Sequence, residues 1–239
     1  MIFAIISDVH ANLEAAEACF REIDKINPDR IICLGDMVDY CAQPNEVIDI
    51  IQERCDVIII GNHDEAQIDY FISDGFSDNA RISSIHTRSV LKPEHKEFIK
   101  TLKYTHSEEN ILFVHSSPLN PIEYDYILDN YTAHINFRSF NESVCFIGHS
   151  HYPMVFEEKA FSVKVTDPDN VKKGRRYIIN AGSVGQPRDG DPRLAFGLFD
   201  TEKFKYQLVR LEYDIQSASD KIIAEGLPLK LAERLFKGI

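Results

Sequence analysis

The sequence predicts an α/β fold in which two sheets pack face to face with helices outside. Three observations carry this reading. Five short apolar runs, at 2–6, 30–34, 57–60, 111–114 and 144–147, are bounded by Gly, Asp or His. Such β-branched runs read as strands buried on both faces. Helical patterns separate the first three, so residues 1–60 form a βαβαβ unit with parallel strands and right-handed crossovers. Past His151 the pattern becomes short strands joined by tight turns, at 153–157, 161–166, 176–180, 194–200 and 204–212, which points to antiparallel pairing.

Between those landmarks the elements follow in order. Residues 11–26 place Leu13, Ala16, Cys19, Phe20 and Ile23 at helical spacing, and Asn27-Pro28 stops the helix. Pro44 starts a helix over 44–53. Residues 64–101 read as helical, with a break at Ser73-Asp74-Gly75 and a last piece opened by Pro93. Two strands flank the polar turn 107–110, residues 116–121 form a loop, and 129–140 read as a helix. The stretch 64–140 is therefore expected to be a largely helical, cap-like insertion within a single domain spanning 1–239. The segment 180–193 is too rich in Gly and Pro for regular structure. Two short helices close the chain over 214–239, with Asp214 as N-cap, Gly226 as a C-terminal stop and Pro228 opening the second.

Composition narrows the function. The 239 residues carry 38 acidic and 26 basic side chains, a net charge of −12. Such a surface repels long nucleic acid and anionic membrane, so a phosphate substrate must meet local positive charge, which bound divalent cations would supply. Five cysteines occur without Cys-x-x-Cys spacing, several inside apolar runs, which suggests a reducing, cytoplasmic compartment. No basic leader and no apolar stretch of membrane-spanning length is present, so neither a signal peptide nor a membrane helix is expected.

Each of the five apolar runs ends in residues able to hold metal. Asp8 and His10 follow the first, Asp36 the second, Asn62 the third, His115 the fourth, and His149 and His151 the fifth. Ligands of open α/β sheets collect at the carboxyl ends of the strands, so these seven donors are expected to share one site. Oxygen and imidazole donors without thiolate suit Mn, Fe or Zn. Seven exceed what one ion needs, and two divalent ions sharing Asp36 fit the count, on the expectation that its strand lies centrally in the sheet. Paired ions suit phosphoryl displacement by a bridging hydroxide. His63, beside Asn62, is the candidate proton donor, with Asp64 next in sequence to orient its ring.

Together Asp8-Val9-His10, Gly35-Asp36-Met37-Val38-Asp39, Gly61-Asn62-His63-Asp64, His115 and Gly148-His149-Ser150-His151 resemble the signature blocks of the calcineurin-like metallophosphoesterases. The resemblance covers residues 1 to about 200. It implies a four-layer α/β/β/α sandwich of two packed mixed sheets. It also implies one ion on Asp8, His10, Asp36 and His151, a second on Asp36, Asn62, His115 and His149, and proton donation or phosphate binding by His63. Many members carry Arg where Tyr40 follows Asp39, so that phosphate contact is not carried over. The compact size and the loop from Asn180 to Gln186 are more similar to the small bacterial and archaeal phosphodiesterase branch, some of whose members cleave dinucleoside polyphosphates.

Other polar residues carry two readings each. Arg188 and Arg193 lie in the Gly/Pro loop and suit bidentate phosphate contact, or are solvated loop arginines. Asp39 reads as a supporting or helix-capping residue rather than a ligand, and Ser183 and Asn180 as donors near the site or as turn formers. The Phe and Tyr residues of 70–76 and 124–131 either pack or form a wall for a base. The expected function is hydrolysis of phosphodiester or phosphoanhydride bonds of a small or nucleotide substrate, without a covalent phosphoenzyme. A non-catalytic scaffold of the same fold, a phosphomonoesterase and a nuclease are the alternatives. Oligomeric state is left open.

Overall fold

The computed structural model describes residues 1–239. The five apolar runs that end in candidate metal ligands form strands β1 (Ile2–Ile6), β2 (Arg30–Cys33), β3 (Val57–Ile58), β5 (Ile111–Val114) and β6 (Val144–Ile147), with β4 (Thr105–Glu108) beside β5. The later strands are β7 (Met154–Glu158), β8 (Val163–Val165), β9 (Tyr177–Asn180), β10 (Leu194–Asp200) and β11 (Lys205–Leu211). They assemble into a five-stranded sheet, β11-β10-β1-β2-β3, and a six-stranded sheet, β4-β5-β6-β9-β7-β8.

Both sheets are mixed, so the parallel and antiparallel strands are not segregated as the sequence pattern suggested. In the first, β1, β2 and β3 are parallel while β10 runs antiparallel to β1. In the second, β5, β6 and β9 are parallel, with antiparallel strands at both edges. The chain returns from residue 194 to pair with its own first strand, a non-local contact without a local signal. The centre of the first sheet is consequently β1, and β2, which leads to Asp36, lies one place out.

Period-two alternation sorts the strand side chains between layers. Phe3 and Ile5 of β1 join Phe113, Phe146, Tyr177 and Ile179 in the core between the sheets. Ala4 and Ile6 face the other way, onto Ala16, Phe20 and Ile23 of α1 (Leu13–Ile26) and Val47, Ile48 and Ile51 of α2 (Pro44–Arg54). On the far side, Cys145 and Ile178 pack against Ala133 and Phe137 at α6 (Asn130–Asn136). The layers are therefore α/β/β/α.

Residues 64–140 do not form one helical insertion. After α3 (Asn62–Glu65), α4 (Asp78–Val90) and α5 (Pro93–Ile99), strands β4 and β5 enter the second sheet as neighbours of β6. At the end of the chain α7 (Ile215–Ala224) and α8 (Leu229–Leu235) bury Ile222, Leu231 and Leu235 in a cluster with Tyr40 and Cys41. All five cysteines are free thiols. No helix is long and apolar enough to cross a membrane.

Candidate metal centre

The carboxyl ends of β1, β2, β3, β5 and β6 meet on one edge of the sandwich. There the backbone leaves the strands abruptly. Asp8, His10, Asp36, Asp39, His149 and His151 all have φ between 50° and 70°. Left-handed backbone at a residue bearing a Cβ costs of order 1–3 kcal/mol and persists where the surroundings over-determine it. Here hydrogen bonds do so: Asp8 N–H donates to Gly35 O (3.0 Å), His10 N–H to Asp36 O (3.0 Å) and Gly148 N–H to His115 O (2.8 Å). The loop after β9 braces the same turn, with Val184 N–H on Ser7 O and Gly185 N–H on Asp8 O, each 2.9 Å. Ser183 Oγ donates to Asp8 O (2.8 Å), and Asn180 Nδ2 to Gly148 O (2.6 Å) and Ser150 Oγ (2.9 Å). Asn180 and Ser183 thus shape the strand-end turns.

These turns bring all seven expected donors together, and each is buried. Asp8, His10, Asp36 and His151 form one set; Asp36, His115 and His149 form another, the ligand atoms of each lying within 4.8 Å of one another. Asn62 Oδ1 joins the second set, 3.2 Å from His115 Nε2. Asp36 belongs to both. Its Oδ2 is 3.2 Å from His115 Nε2 and 3.7 Å from His10 Nε2.

Three of the four imidazoles are oriented as metal ligands require. His10 Nδ1 faces Val38 O (2.8 Å), His115 Nδ1 faces Leu34 O (2.8 Å) and His151 Nδ1 faces Gln186 O (2.6 Å). A ring that donates through Nδ1 to a backbone carbonyl turns its Nε2 lone pair inward. Burial pushes His10 and His151 well below the usual imidazole range, so both are neutral. Their Nε2 atoms nonetheless face each other at 3.1 Å, which sets lone pair against lone pair. His149 Nε2 is buried without a partner, and burial lowers that ring to about 3. Orphaned lone pairs beside buried carboxylates fit a cation.

The remaining charges are consistent with that fit. Burial raises Asp8 to about 6. For His115 the penalty of burial is outweighed by the Asp36 carboxylate, which pushes it up to about 9. The proton so held occupies the lone pair that a metal ion would take.

Two glycines let the strand ends approach this closely. A Cβ on Gly61 would collide with the Asp36 carboxylate, and one on Gly148 with Ser7 Oγ and the Asp8 carboxylate. Gly61→Ala is therefore expected to lower stability by about 1–3 kcal/mol, as overpacking does. Metal affinity is expected to fall by roughly 10–100-fold, as when ligand support is lost. Thermal unfolding and metal analysis of the same preparation check both.

Next to the donors stands His63, whose ring centroid is 5.0 Å from that of His10. Its Nδ1 is 2.8 Å from Asp39 Oδ2, and Gln67 Nε2 donates to Asp39 Oδ1 at 3.1 Å. The group orienting His63 is thus Asp39, not Asp64. From the first turn of α3, Asp64 instead accepts the backbone N–H groups of Asp36 (2.8 Å), Met37 (2.9 Å) and Gly61 (3.1 Å), tying the β2 and β3 loops together. Burial works against a charged His63, but the Asp36 charge and the Asp39 hydrogen bond raise it above the usual value.

The two loop arginines part company. Arg188 stands at the site, with its guanidinium carbon 5.4 Å from the Tyr40 ring centroid and its Nη2 on a neutral acceptor, Gln186 Oε1 (2.9 Å). Tyr40 in turn packs on His10 and His63, at centroid distances of 4.6 and 4.7 Å. Arg193 is turned away into an ion pair with Asp191 (2.6 Å) and is half-exposed, so it has no place in the site. Gln67, Tyr124 and Tyr126 also border the centre; the two tyrosines belong to the aromatic stretch 124–131, whereas nothing in the spacing of Gln67 announces it.

Buried Asp, His and Asn donors gathered at the strand ends of an α/β/β/α sandwich are the equipment of a metal-dependent hydrolase. Comparison with known proteins agrees, and the chain belongs to the calcineurin-like phosphoesterase superfamily, whose domain matches residues 1–203. It is 37% identical to an uncharacterized protein of Methanocaldococcus jannaschii, over 99% of this chain and 98% of that one. The crystal structure of a metallophosphoesterase from Sphaerobacter thermophilus superposes with a TM-score of 0.88 at 36% identity, covering 100% of this chain and 99% of that one. A hypothetical protein of Pyrococcus horikoshii shares the fold, with a TM-score of 0.82 at 21% identity over 100% and 98% of the two chains.

Proposed function

We propose that this chain hydrolyses phosphodiester or phosphoanhydride bonds of small or nucleotide substrates with two divalent metal ions. The observation that carries this reading is the pair of buried donor sets sharing Asp36. One ion would be held by Asp8, His10, Asp36 and His151, the other by Asp36, Asn62, His115 and His149. Bound there, a pair of divalent cations would neutralise phosphoryl oxygens and lower the pKa of water.

The chain's own side chains supply the rest. His63, held through Nδ1 by Asp39, would pass a proton from Nε2 to the leaving oxygen. Arg188, without a carboxylate partner, is available for a non-bridging phosphate oxygen. The mixed nitrogen and oxygen donors favour Mn, Fe or Zn over Ca or Mg. None of the seven donors is missing, as some would be in a scaffold that had lost catalysis. The acidic surface, with net charge −12, speaks against a long polyanionic substrate.

The test compares Mn-loaded and chelator-stripped protein against phosphomonoesters, cyclic nucleotides, bis(p-nitrophenyl) phosphate and dinucleoside polyphosphates. Hydrolysis of a diester or anhydride by the loaded form alone is expected, with the broken bond read from the products. Loading should also raise the melting temperature, since a ligand at 100 times its Kd stabilises the folded state by about 2.7 kcal/mol. Absence of metal uptake, or hydrolysis indifferent to chelation, would reject the proposal.

A further inference from the structure

A pocket of about 310 Å³ opens directly from the candidate metal centre, sharing Asn62 and His149 with it. The rest of its wall includes five aliphatic or aromatic side chains, Ile72, Phe76, Ile122, Tyr124 and Tyr126, with Glu123 as the added charged group. The rings touch the machinery itself. Tyr126 stacks on His149 with centroids 4.1 Å apart and planes inclined by 22°, and Phe76 lies 4.4 Å from the His63 ring.

Part of this wall is rigid. Tyr124 is buried, adopts φ 54°, and donates its hydroxyl to Glu65 Oε2 at 2.5 Å. Tyr104 donates to the other Glu65 oxygen, so one carboxylate anchors the wall to the body of the protein. Other parts stay open to solvent: Tyr126 is 49% and Ile122 58% exposed. Exposed apolar side chains gathered at a site rather than scattered mark a ligand surface.

We infer that this pocket receives a planar aromatic group carried by the leaving side of the phosphoester, a nucleobase or another aryl ring. The inference rests on the reading of the centre as a phosphoesterase. His63, the group placed to protonate the leaving oxygen, has Phe76 on its pocket side, so a leaving group that takes that proton extends toward Phe76 and Tyr126. Stacking on such rings is tolerant of base identity, while the Glu123 carboxylate can accept from an exocyclic amino group.

The test is isothermal titration of the Mn-loaded protein with adenosine 5′-monophosphate, ribose 5-phosphate and phenyl phosphate, a readout that needs no turnover. The nucleotide and the sugar phosphate carry the same phosphate, so their difference isolates the ring. Adenosine 5′-monophosphate is expected to bind roughly 10-fold tighter than ribose 5-phosphate, the scale of one base–aromatic stack. Tyr126→Ala should remove that difference and leave ribose 5-phosphate binding within about 2-fold, whereas Tyr126→Phe, which keeps the ring, should preserve it. Phenyl phosphate matching the nucleotide would assign the pocket to aryl groups in general; weaker binding would assign it to the base.

Equal affinity for nucleotide and sugar phosphate, or an equal loss of both in Tyr126→Ala, overturns the inference. Hydrolysis of bis(p-nitrophenyl) phosphate, measured separately, keeps the two readings apart. Turnover without a ring preference removes the pocket alone. A ring preference without turnover keeps the pocket and removes the proposed activity.

Discussion

Asp36→Asn is expected to empty both halves of the centre at once, with metal content falling toward zero and hydrolysis by at least about 10³-fold. Asp36 is the one residue in both donor sets. Its Oδ2 faces His115 Nε2 at 3.2 Å and His10 Nε2 at 3.7 Å, while Oδ1 accepts the His63 backbone N–H at 2.8 Å. Asparagine keeps an oxygen for that N–H and tolerates the left-handed φ of 54°. The fold should therefore survive while the charge is lost. That charge also holds the His115 and His63 rings above their usual range. In the metal-free variant both should titrate at lower pH, which histidine NMR can read independently of activity. Asp8→Asn, in one set only, is expected to cost less. Full metal content and rate in Asp36→Asn would show that the two sets do not depend on a shared carboxylate.

The strand ends that build this centre were legible because their signals are local. A β-branched run closed by Asp-Val-His or Gly-Asn-His reads as a buried strand that delivers donors to the sheet edge. What could not be read depends on contacts between distant segments. Pairing of β10 with β1 joins residues about 195 positions apart, and it makes β1, not β2, the middle of its sheet. The carboxylate that orients His63 is hidden from the sequence for a related reason. Asp64 adjoins His63 in sequence, but in a helical first turn its side chain reaches back to the backbone of the β2 loop. Asp39 is 24 residues away and reaches the ring because it and Tyr40 turn through φ of 70° and 63°. Similarly, the two loop arginines look alike in sequence, yet Asp191 captures the nearer Arg193 and leaves Arg188 facing the centre.

His63→Gln is expected to slow turnover by about 10²–10⁴-fold, the usual worth of a general acid, with metal content unchanged. Asp39 then becomes testable as the residue acting through it. Asp39→Asn keeps an oxygen for the His63 Nδ1–H but removes a charge that raises the ring's pKa. A general acid works in its protonated form, so activity is lost as pH rises through its pKa. Lowering that pKa moves the alkaline limb of the kcat profile to lower pH, with a loss of roughly 10–100-fold at neutrality. In His63→Gln the limb should vanish, and adding Asp39→Asn should cost almost nothing more, because two residues acting as one unit are not additive. Asp64→Asn should behave differently. Its carboxyl group accepts three backbone N–H groups, and a buried donor left without its partner costs about 1–3 kcal/mol. The melting temperature should drop and the alkaline limb stay in place. A limb that moves with Asp64→Asn and ignores Asp39→Asn would return the orienting role to Asp64.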